Sequence, residues 1–264
     1  MAGAGFLQLP SRPAPPRTIG ITSVLDTGLP LERLRALPSS ITCLVDVWKF
    51  GWGTAYLDPD IAAKVAVLRD LGIRACAGGT LLEVAWQQGR AAQCLSWAEQ
   101  VGLPCLEVSN GVVHMPASEK HRLIAEAADR FEVLAEIGSK DPAVPVSASS
   151  WMDAAVGDVA AGARWVVTEG RESGTVGLFA SDESVRTDVV AALVAAVGLP
   201  TLLFEAPIKS QQAWFIRRYG ANVNLANVPI DTVLGLEALR CGLRADTVGA
   251  MDADPVTAAR SAHG

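Results

Sequence analysis

Short apolar runs recur along the chain and alternate with longer segments that have a helical spacing of apolar positions. The runs are bounded by glycine, proline or polar residues and have the length of β-strands. Their starts lie roughly 20–36 residues apart, which is the spacing of one strand, one helix and two loops. The predicted strands are 19–25, 43–49, 73–77, 104–108, 132–137, 164–168, 201–205 and 222–225.

The segments between these runs repeat apolar residues every three to four positions, as amphipathic helices do. Several follow a candidate N-cap, such as Asp60, Ser118 or Asp231, and several end at glycine. Eight strands with helices between them predict an α/β fold, a single (β/α)8 TIM barrel. A doubly wound open sheet is the alternative, but its GxGxxG motif is absent after the first strand. The predicted helices are 60–72, 91–102, 118–130, 184–198 and 231–243.

The length of 264 residues agrees with this fold, which typically takes ~250 residues. Half of the residues are hydrophobic and 19% are charged, so the chain can bury a large core. We expect residues 1–17, which contain four prolines, to form an extended arm. We expect residues 18–247 to form the barrel and residues 248–264 to form a flexible tail.

Charge and composition narrow the classes of function. A net charge of −6 argues against nucleic acid as the main partner but leaves a small anionic ligand open. Neither a signal-peptide core nor an apolar run of ~20 residues is present, which predicts a cytoplasmic protein without membrane spans. The five cysteines form no CxxC pair, so buried free thiols are expected rather than disulfides or a metal cluster.

Polar residues follow most of the predicted strands, where the carboxyl ends of barrel strands meet on one face. Acids and bases are mixed there, which suits a divalent cation beside an anionic substrate. The candidates on this face are Asp26, Lys49, Gly78, Gly79, Thr80, Glu107, Ser109, Asn110, Glu136, Ser139, Lys140, Glu169, Arg171, Ser173, Glu205, Lys209, Asn224 and Asn227.

Each of these motifs also has a structural interpretation. KFGWGT (49–54) fits a glycine turn after a buried strand, and Gly78-Gly79-Thr80 fits either a strand-to-helix turn or a set of backbone donors for phosphate. EGRESG (169–174) is harder to explain by packing, because it places two acids, an arginine and a serine at a strand end. Its structural alternative is a surface loop of ion pairs.

Taken together and in order, ten strings of this sequence resemble the phosphosulfolactate synthase (ComA-like) family. They span about residues 9–247, nearly the whole chain. The strings are LPSRPAPPR, GITSVLDTGLP, KFGWGT, GGTLLE, LEVSNG, EIGSKD, EGRESG, FEAPIKSQQ, NVNLANV and LEALRCGLRADT.

The resemblance implies a (β/α)8 barrel, a homo-oligomer such as a trimer, and dependence on Mg²⁺. The implied reaction is a Michael-type addition of sulfite to phosphoenolpyruvate. Its product is (2R)-phospho-3-sulfolactate, and its pathway is coenzyme M biosynthesis. The implied partner is therefore a small anionic substrate.

The candidate residues accommodate this chemistry in three roles. Lys140 is the expected general acid, with Lys49 and Lys209 as further catalytic lysines. The expected metal ligands are Glu107 and Glu136, with Asp26, Glu169 and Glu205 as competitors. The expected substrate-binding residues are Arg171, Ser173, Gly78, Gly79, Thr80, Asn224, Asn110 and His114.

The sequence departs from the family pattern in the loop after the fourth strand. SNGVVHMP (109–116) stands where SDGTIDMP is usual, so Asn110 and His114 replace two acids and Val112 replaces a hydroxyl. Ala77 and Trp48 also differ from the usual residues.

Three other functions therefore stay open. One is a phosphoenolpyruvate-using barrel enzyme of specialised metabolism with a different nucleophile. Another is a Schiff-base aldolase, because lysines at barrel strand ends perform that chemistry. The third is a non-catalytic member, like the plant heat-stress-associated relatives. The charged residues kept at the predicted barrel mouth argue against this last alternative.

Overall fold

Eight parallel strands close into a barrel in a computed structural model that describes residues 5–141, 144, 146–170 and 173–249. Each strand pairs with the next in the chain, and the last pairs with the first. The predicted single (β/α)8 barrel is confirmed. The strands are β1 (Thr22–Asp26), β2 (Val47–Phe50), β3 (Arg74–Ala77), β4 (Cys105–Val108), β5 (Glu132–Ile137), β6 (Trp165–Thr168), β7 (Leu202–Glu205) and β8 (Leu225–Val228).

Helices follow the strands around the outside of the barrel, and every helix that the periodicity predicted is present. The sequence patterns missed several short helices and three longer ones, α5 (Gly79–Gln87), α8 (Ala148–Ala160) and α10 (Lys209–Tyr219). The helices are α1 (Leu31–Arg35), α2 (Ser39–Thr42), α3 (Thr54–Leu57), α4 (Ile61–Asp70), α5 (Gly79–Gln87), α6 (Ala91–Gln100), α7 (Ala117–Ala128), α8 (Ala148–Ala160), α9 (Thr187–Val197), α10 (Lys209–Tyr219) and α11 (Val233–Arg240).

The barrel interior contains an apolar layer below a charged layer. Successive side chains of a strand point to opposite sides, so residues two apart face the same way. Lys49 thus lies above Val47, and Glu107 lies above Cys105 on the inner side. The apolar layer contains Ile21, Val47, Cys76, Cys105, Leu134, Trp165, Val167, Leu203 and Ala226. The buried charged residues above it are Lys49, Glu107, Glu136, Glu169 and Glu205.

The segment before β1 packs against the amino end of the barrel. Residues 5–17 contain no helix or strand. Arg12 donates hydrogen bonds to Asn222 Oδ1 at 2.6 Å and to Glu237 Oε1 at 3.1 Å. Arg17 pairs with Asp46 at 3.2 Å. Two arginines therefore connect this segment to the barrel. The predicted tail from 248 lies almost wholly outside the described residues.

Arg240, at the end of α11, is fully buried at the same end. Its Nη1 donates to the carbonyl oxygens of Ala221 and Val223, at 2.6 and 2.7 Å, and its Nη2 donates to that of Ile21 at 3.1 Å. Burial and the nearby Arg12 lower the pKa of Arg240 to about 9. This side chain joins α11 to the chain segments that lead into β1 and β8.

The predicted position of the last strand is wrong by three residues, and this moves Asn224 to the other end of the barrel. Asn224 lies just before β8, where its Nδ2 donates to the carbonyl oxygens of Pro200 and Leu202 at 3.1 and 3.0 Å. Its Oδ1 accepts from the backbone N–H of Ile21 at 3.0 Å. Asn224 therefore connects strands at the amino end of the barrel, the end opposite to the predicted active face.

All five cysteines are free thiols. Cys76, Cys94 and Cys105 are buried, whereas Cys43, which we expected to be buried, is exposed. Burial raises the pKa of Cys94 to about 11 and that of Cys105 to about 12, so both are unreactive near neutral pH. Within the described part of the chain, every helix is too short or too polar to cross a membrane.

Candidate active site

A cavity of about 520 Å³ opens at the carboxyl end of the barrel, on the face that the sequence predicted. This is the face where barrel enzymes carry their active sites. Most of its polar lining comes from the ends of strands and from the residues directly after them. The lining residues are Leu25, Lys49, Trp52, Gly78, Gly79, Thr80, Glu107, Val112, Glu136, Lys140, Glu169, Ser173, Glu205 and Asn227.

Lys49 of β2 lies at the centre of the cavity floor. Its Nζ is 3.0 Å from Glu107 Oε2, 3.0 Å from Glu205 Oε1 and 4.0 Å from Glu136 Oε2. Burial opposes the charge of this ammonium group, but the three carboxylates outweigh it and raise the pKa of Lys49 well above its usual value. Lys49 is therefore a fixed positive charge that holds three strands together at the site.

Lys140, in the loop after β5, reaches the same cluster of acids from the other side. Its Nζ is 2.7 Å from Glu136 Oε1 and 3.5 Å from Glu169 Oε2. Gly111 lies beside its stem, where an added Cβ would be 3.4 Å from Lys140 Cγ. Burial works against the charge of Lys140, but Glu136 and Glu169 raise its pKa above the usual value. Its proton is thus tightly held in the protein alone.

The four glutamates of the floor differ in their environment. Glu107 Oε1 accepts from the Gly79 N–H at 2.9 Å, and Glu205 Oε2 accepts from the Gly170 N–H at 3.0 Å. Burial raises the pKa of Glu107 in spite of Lys49. The pKa of Glu136 is lowered although the group is buried, because Lys140 and Lys49 stabilise its charge. Among the described residues of the floor, four carboxylates face two ammonium groups, which is a formal excess of two negative charges.

Three of these acids are placed to bind a metal ion. One carboxylate oxygen from each of Glu136, Glu169 and Glu205 lies within 4.8 Å of the other two. Opposite ligands of an octahedral Mg²⁺ lie roughly 4.2 Å apart, since each bond is ~2.1 Å long. Only a small movement would close the three oxygens around such an ion. Hard carboxylate oxygens are also the ligands that Mg²⁺ prefers, so the residues present fit the expected cation.

The glycine pair after β3 lies in the cavity, but its backbone donors are already engaged. The N–H of Gly78 donates to the Phe50 carbonyl at 3.0 Å, and the N–H of Gly79 donates to Glu107. Both positions need glycine, because an added Cβ would lie 2.9 Å from Phe50 O or 2.2 Å from Ser109 Oγ. The two N–H groups expected to bind phosphate are therefore bonded within the protein, and substrate binding by Gly78 and Gly79 stays a prediction. Thr80 also lines the cavity.

Two other candidates lie away from the cavity lining. Asp26 accepts the N–H groups of Gly28 and Leu29 through Oδ1, at 2.7 and 2.6 Å, and the Trp48 Nε1–H through Oδ2 at 2.9 Å. Both of its oxygens therefore accept hydrogen bonds within the protein, and metal binding by Asp26 stays a prediction. Lys209 is 49% exposed and pairs with Asp246 at 3.0 Å, so the structure does not place it with the other lysines.

The unusual loop after β4 is held in place by Glu83 of α5. The buried Glu83 carboxylate accepts the N–H groups of Val112 and Val113 at 2.8 Å each, and the hydroxyl of Ser109. Of the residues that depart from the family pattern in this loop, Val112 lines the cavity.

The two residues that replace acids in this loop do not line the cavity. Asn110 donates to the Met115 carbonyl at 3.2 Å, and His114 is exposed. The structure thus gives neither Asn110 nor His114 contact with the cavity. Ser173 lines the cavity, where its hydroxyl accepts a hydrogen bond from Thr175 Oγ1 at 2.9 Å. Arg171 lies outside the described residues.

Leu25 and Trp52 line the cavity although sequence reasoning gave them no role, and Asn227, a candidate on this face, was given no specific role. Trp52 and Asn227 share one backbone feature, a positive φ of 54°, which the sequence does not reveal. Asn227 was recognised as polar, but the early placement of the last strand put it in a following loop. The side chain at the end of β8 is thus Asn227 and not Asn224.

Known proteins of one family are similar in sequence to this chain over most of its length. A model of the (2R)-phospho-3-sulfolactate synthase (ComA) family matches residues 10–246. The chain belongs to this family. The phosphosulfolactate synthase of Bacillus subtilis (strain 168) is 39% identical over 244 residues, which cover 91% of this chain and 97% of that protein. The phosphosulfolactate synthase of Methanocaldococcus jannaschii is 39% identical over 236 residues, which cover 87% and 94%.

Membership of the phosphosulfolactate synthase family makes the chain an enzyme, as its motifs predicted. Solved structures add support for the fold alone. The 3-hexulose-6-phosphate synthase from Salmonella typhimurium superposes with a TM-score of 0.58 at 10% sequence identity. The match covers 85% of this chain and 100% of that one.

Proposed function

We propose that this chain catalyses the Mg²⁺-dependent addition of sulfite to phosphoenolpyruvate, which forms (2R)-phospho-3-sulfolactate. The observation that carries the proposal is the position of Lys140 beside the carboxylates of Glu136 and Glu169 in the cavity. A homo-oligomeric state and a role in coenzyme M biosynthesis belong to the same proposal, because the family resemblance implies them. The cytoplasmic location that the sequence predicts is proposed with them.

The chemistry requires one bond to form and one proton to be delivered. The sulfur lone pair of sulfite attacks C3, and the π electrons of the C2–C3 double bond move toward C2 and the carboxylate. An acid then protonates C2, while the bond to the phosphate stays intact. Lys140 is the better placed lysine, because its side chain is 21% exposed to the cavity whereas that of Lys49 is 7% exposed. We therefore assign Lys140 as the acid and Lys49 as a structural charge.

Charge balance supports a divalent cation at the site. Both substrates are anions, and the floor already has an excess of negative charge, so binding them there requires added positive charge. Glu136, Glu169 and Glu205 would hold Mg²⁺, which would supply a Lewis acid for the substrate carboxylate. Arg171 is the second expected source of positive charge, because a guanidinium can bind phosphate or carboxylate through two hydrogen bonds.

The same carboxylates control the acidity of Lys140. Glu136 and Glu169 raise its pKa, so a second positive partner for these two groups would weaken their hold on the lysine proton. Lys140 would then donate to C2 more readily than in the protein alone.

The raised pKa values argue against a Schiff-base aldolase. A Schiff-base lysine must lose its proton before it attacks a carbonyl, and enzymes achieve this by lowering its pKa. Lys49 and Lys140 are both shifted in the opposite direction, toward the ammonium form. A non-catalytic role is also disfavoured, because an excess of buried charge around a cavity destabilises a protein that has no ligand for it.

A nucleophile larger than sulfite is the second candidate, and one feature favours it. Leu25, Trp52 and Val112 give part of the cavity wall an apolar surface, and Trp52 and Val112 are 46% and 53% exposed. The cavity volume lies in the ~300–1,000 Å³ range of sites for drug-sized ligands. An organic thiol could contact this wall, whereas sulfite has no apolar group to place there.

The test is product analysis by mass spectrometry. The protein is incubated with phosphoenolpyruvate and either sulfite or an organic thiol, in Mg²⁺ or in EDTA, with Lys140→Ala as the control. We expect a sulfite adduct of wild type that disappears in EDTA and returns with added Mg²⁺. An adduct with the thiol alone would favour the second candidate, and full turnover in EDTA would contradict the role of the metal.

A further inference from the structure

The last strand of the barrel contains a β-bulge at its carboxyl end. Thr22 of β1 pairs with Leu225, but Val24 pairs with Val228, so two steps along β1 match three along β8. Leu225 and Val228 both pack into the outer core between strands and helices, although they are three residues apart. The extra residue therefore turns an additional side chain toward the interior, as bulges beside active sites do.

That side chain belongs to Asn227, whose backbone has a φ of 54°. Asparagine tolerates this left-handed conformation better than most residues, but it still costs free energy relative to an extended strand. The residue is 7% exposed and lines the cavity, and its Oδ1 has no hydrogen-bond partner. A strained backbone and an unsatisfied buried amide at one residue point to a functional role.

Most donors of the cavity are already engaged by the protein, but the Asn227 amide is not. Among the described residues of the site, the side-chain amide of Asn227 makes no hydrogen bond. It is a neutral donor, so it adds no charge to the glutamate cluster. The donors with protein partners are Lys49 Nζ, Lys140 Nζ and the backbone N–H groups of Gly78, Gly79 and Gly170.

The place of Asn227 in the barrel indicates which part of the substrate it meets. Lys140 follows β5, and the three acids suited to a cation belong to β5, β6 and β7. The carboxylate and C2 of the substrate must therefore lie on that side. Asn227 lies near the carboxyl end of β8, further round the barrel, and barrel enzymes frequently bind phosphate near the loops after strands seven and eight.

We propose that Asn227 is a substrate-binding residue whose Nδ2 donates a hydrogen bond to the phosphate of phosphoenolpyruvate. The proposal rests on the proposed function. A donor that binds the phosphate equally in the bound substrate and during the reaction affects affinity more than turnover. A hydrogen bond to a charged group accounts for about a 10- to 100-fold change in affinity.

The experiment uses Asn227→Gly, which removes the amide and adopts a φ of 54° without strain. Glu183→Gly is the matched control, since Glu183 is an exposed residue at a φ of 66° that does not line the cavity. Calorimetry in Mg²⁺ measures the Kd of phosphoenolpyruvate and, separately, of inorganic phosphate. Thermal unfolding of each variant is measured without ligand.

We expect Asn227→Gly to unfold at the same temperature as wild type or higher, and to bind both ligands about 10- to 100-fold more weakly. Its KM should rise with little change in kcat, and Glu183→Gly should bind as wild type does. Wild-type affinity in Asn227→Gly, or a clear loss of its thermal stability, would overturn the proposal.

The phosphate measurement separates this proposal from the proposed function. If wild type binds inorganic phosphate but not phosphoenolpyruvate, the proposed substrate is wrong, and the role of Asn227 is decided by its effect on phosphate affinity. If wild type binds neither ligand, both proposals are wrong.

Discussion

The two ends of the barrel both bury charged residues, but they do so in opposite ways. At the amino end, Arg12, Arg17 and Arg240 donate mainly to carbonyl and amide oxygens, and two carboxylates, Asp46 and Glu237, accept the remainder. At the carboxyl end, four glutamates surround two lysines beside an open cavity.

The difference shows how a barrel separates stability from function. Backbone carbonyls are fixed dipoles with no charge to neutralise, so the arginines at the amino end act as permanent cross-links. The glutamates at the carboxyl end keep an excess of charge that a bound cation would relieve. Mutations at the two ends should therefore affect different measurements.

The largest expected effect is at the carboxyl end. Lys140→Ala should lower kcat by about 10²–10⁴-fold, the usual contribution of general acid catalysis, with a smaller change in KM. Lys140→Arg should restore little, because a guanidinium with a pKa above ~12 gives up its proton reluctantly. Steady-state kinetics with both variants checks this, and a full rescue by arginine would make Lys140 an electrostatic contact instead of the acid.

The pH dependence of the wild-type protein offers an independent check on Lys140. Its pKa is raised, so the ammonium form persists below the ordinary lysine value of 10.5 and is lost only above it. Without Mg²⁺, an NMR titration of Lys140 should therefore show no loss of its proton up to that pH. Loss of that proton near neutral pH would contradict the raised pKa.

The amino end should respond in stability. Arg240→Met removes three hydrogen bonds to carbonyl oxygens, which should lower the free energy of unfolding by roughly 1.5–4.5 kcal/mol, at about 0.5–1.5 kcal/mol for each bond. Urea denaturation measures this change, and kcat of the folded protein should stay at the wild-type value. Arg35→Met, at an exposed position of α1, is the control and should change stability by less than about 0.5 kcal/mol. A lower kcat in Arg240→Met would contradict this expectation, because it would show that the amino end of the barrel also affects catalysis.

The smallest expected effect is that of Lys209→Ala. Lys209 is half exposed and pairs with Asp246, and exposed ion pairs contribute about 0–1 kcal/mol to stability. Turnover should be unchanged, which a kinetic assay beside Lys140→Ala would show. A loss as large as that of Lys140→Ala would restore Lys209 to the catalytic role that the sequence predicted.

Most of the fold could be predicted because barrel strands are short, apolar and evenly spaced. The fifth strand was predicted with the same bounds, 132–137, that β5 has in the structure. The eighth was placed three residues early, since apolar and asparagine residues alternate through 222–228 and a bulge interrupts the period of two. The alternation of apolar and polar residues does not show that the Asn224 side chain hydrogen-bonds to the backbone of neighbouring segments, or that Asn227 faces the cavity.

The site could be predicted only in part, because the position of a charged residue in the sequence does not determine which residue it pairs with. Asp26 and Glu107 both lie in strands of the barrel, yet Asp26 accepts hydrogen bonds from its own turn and Glu107 pairs with Lys49 across the barrel. Partners such as Glu205 lie 156 residues from Lys49 in the chain. Only the closed barrel brings such distant residues together.

The Glu83 carboxylate has a consequence for how this enzyme can diverge. It holds the loop after β4 through the backbone N–H groups of Val112 and Val113, which are the same whatever side chains those positions carry. Side chains in the loop are therefore open to replacement without displacement of its backbone, so new residues can enter the cavity wall on a fixed support. Substitutions at position 112 would then be expected to alter which nucleophile is accepted, while the proposed acid and the proposed metal ligands keep their places.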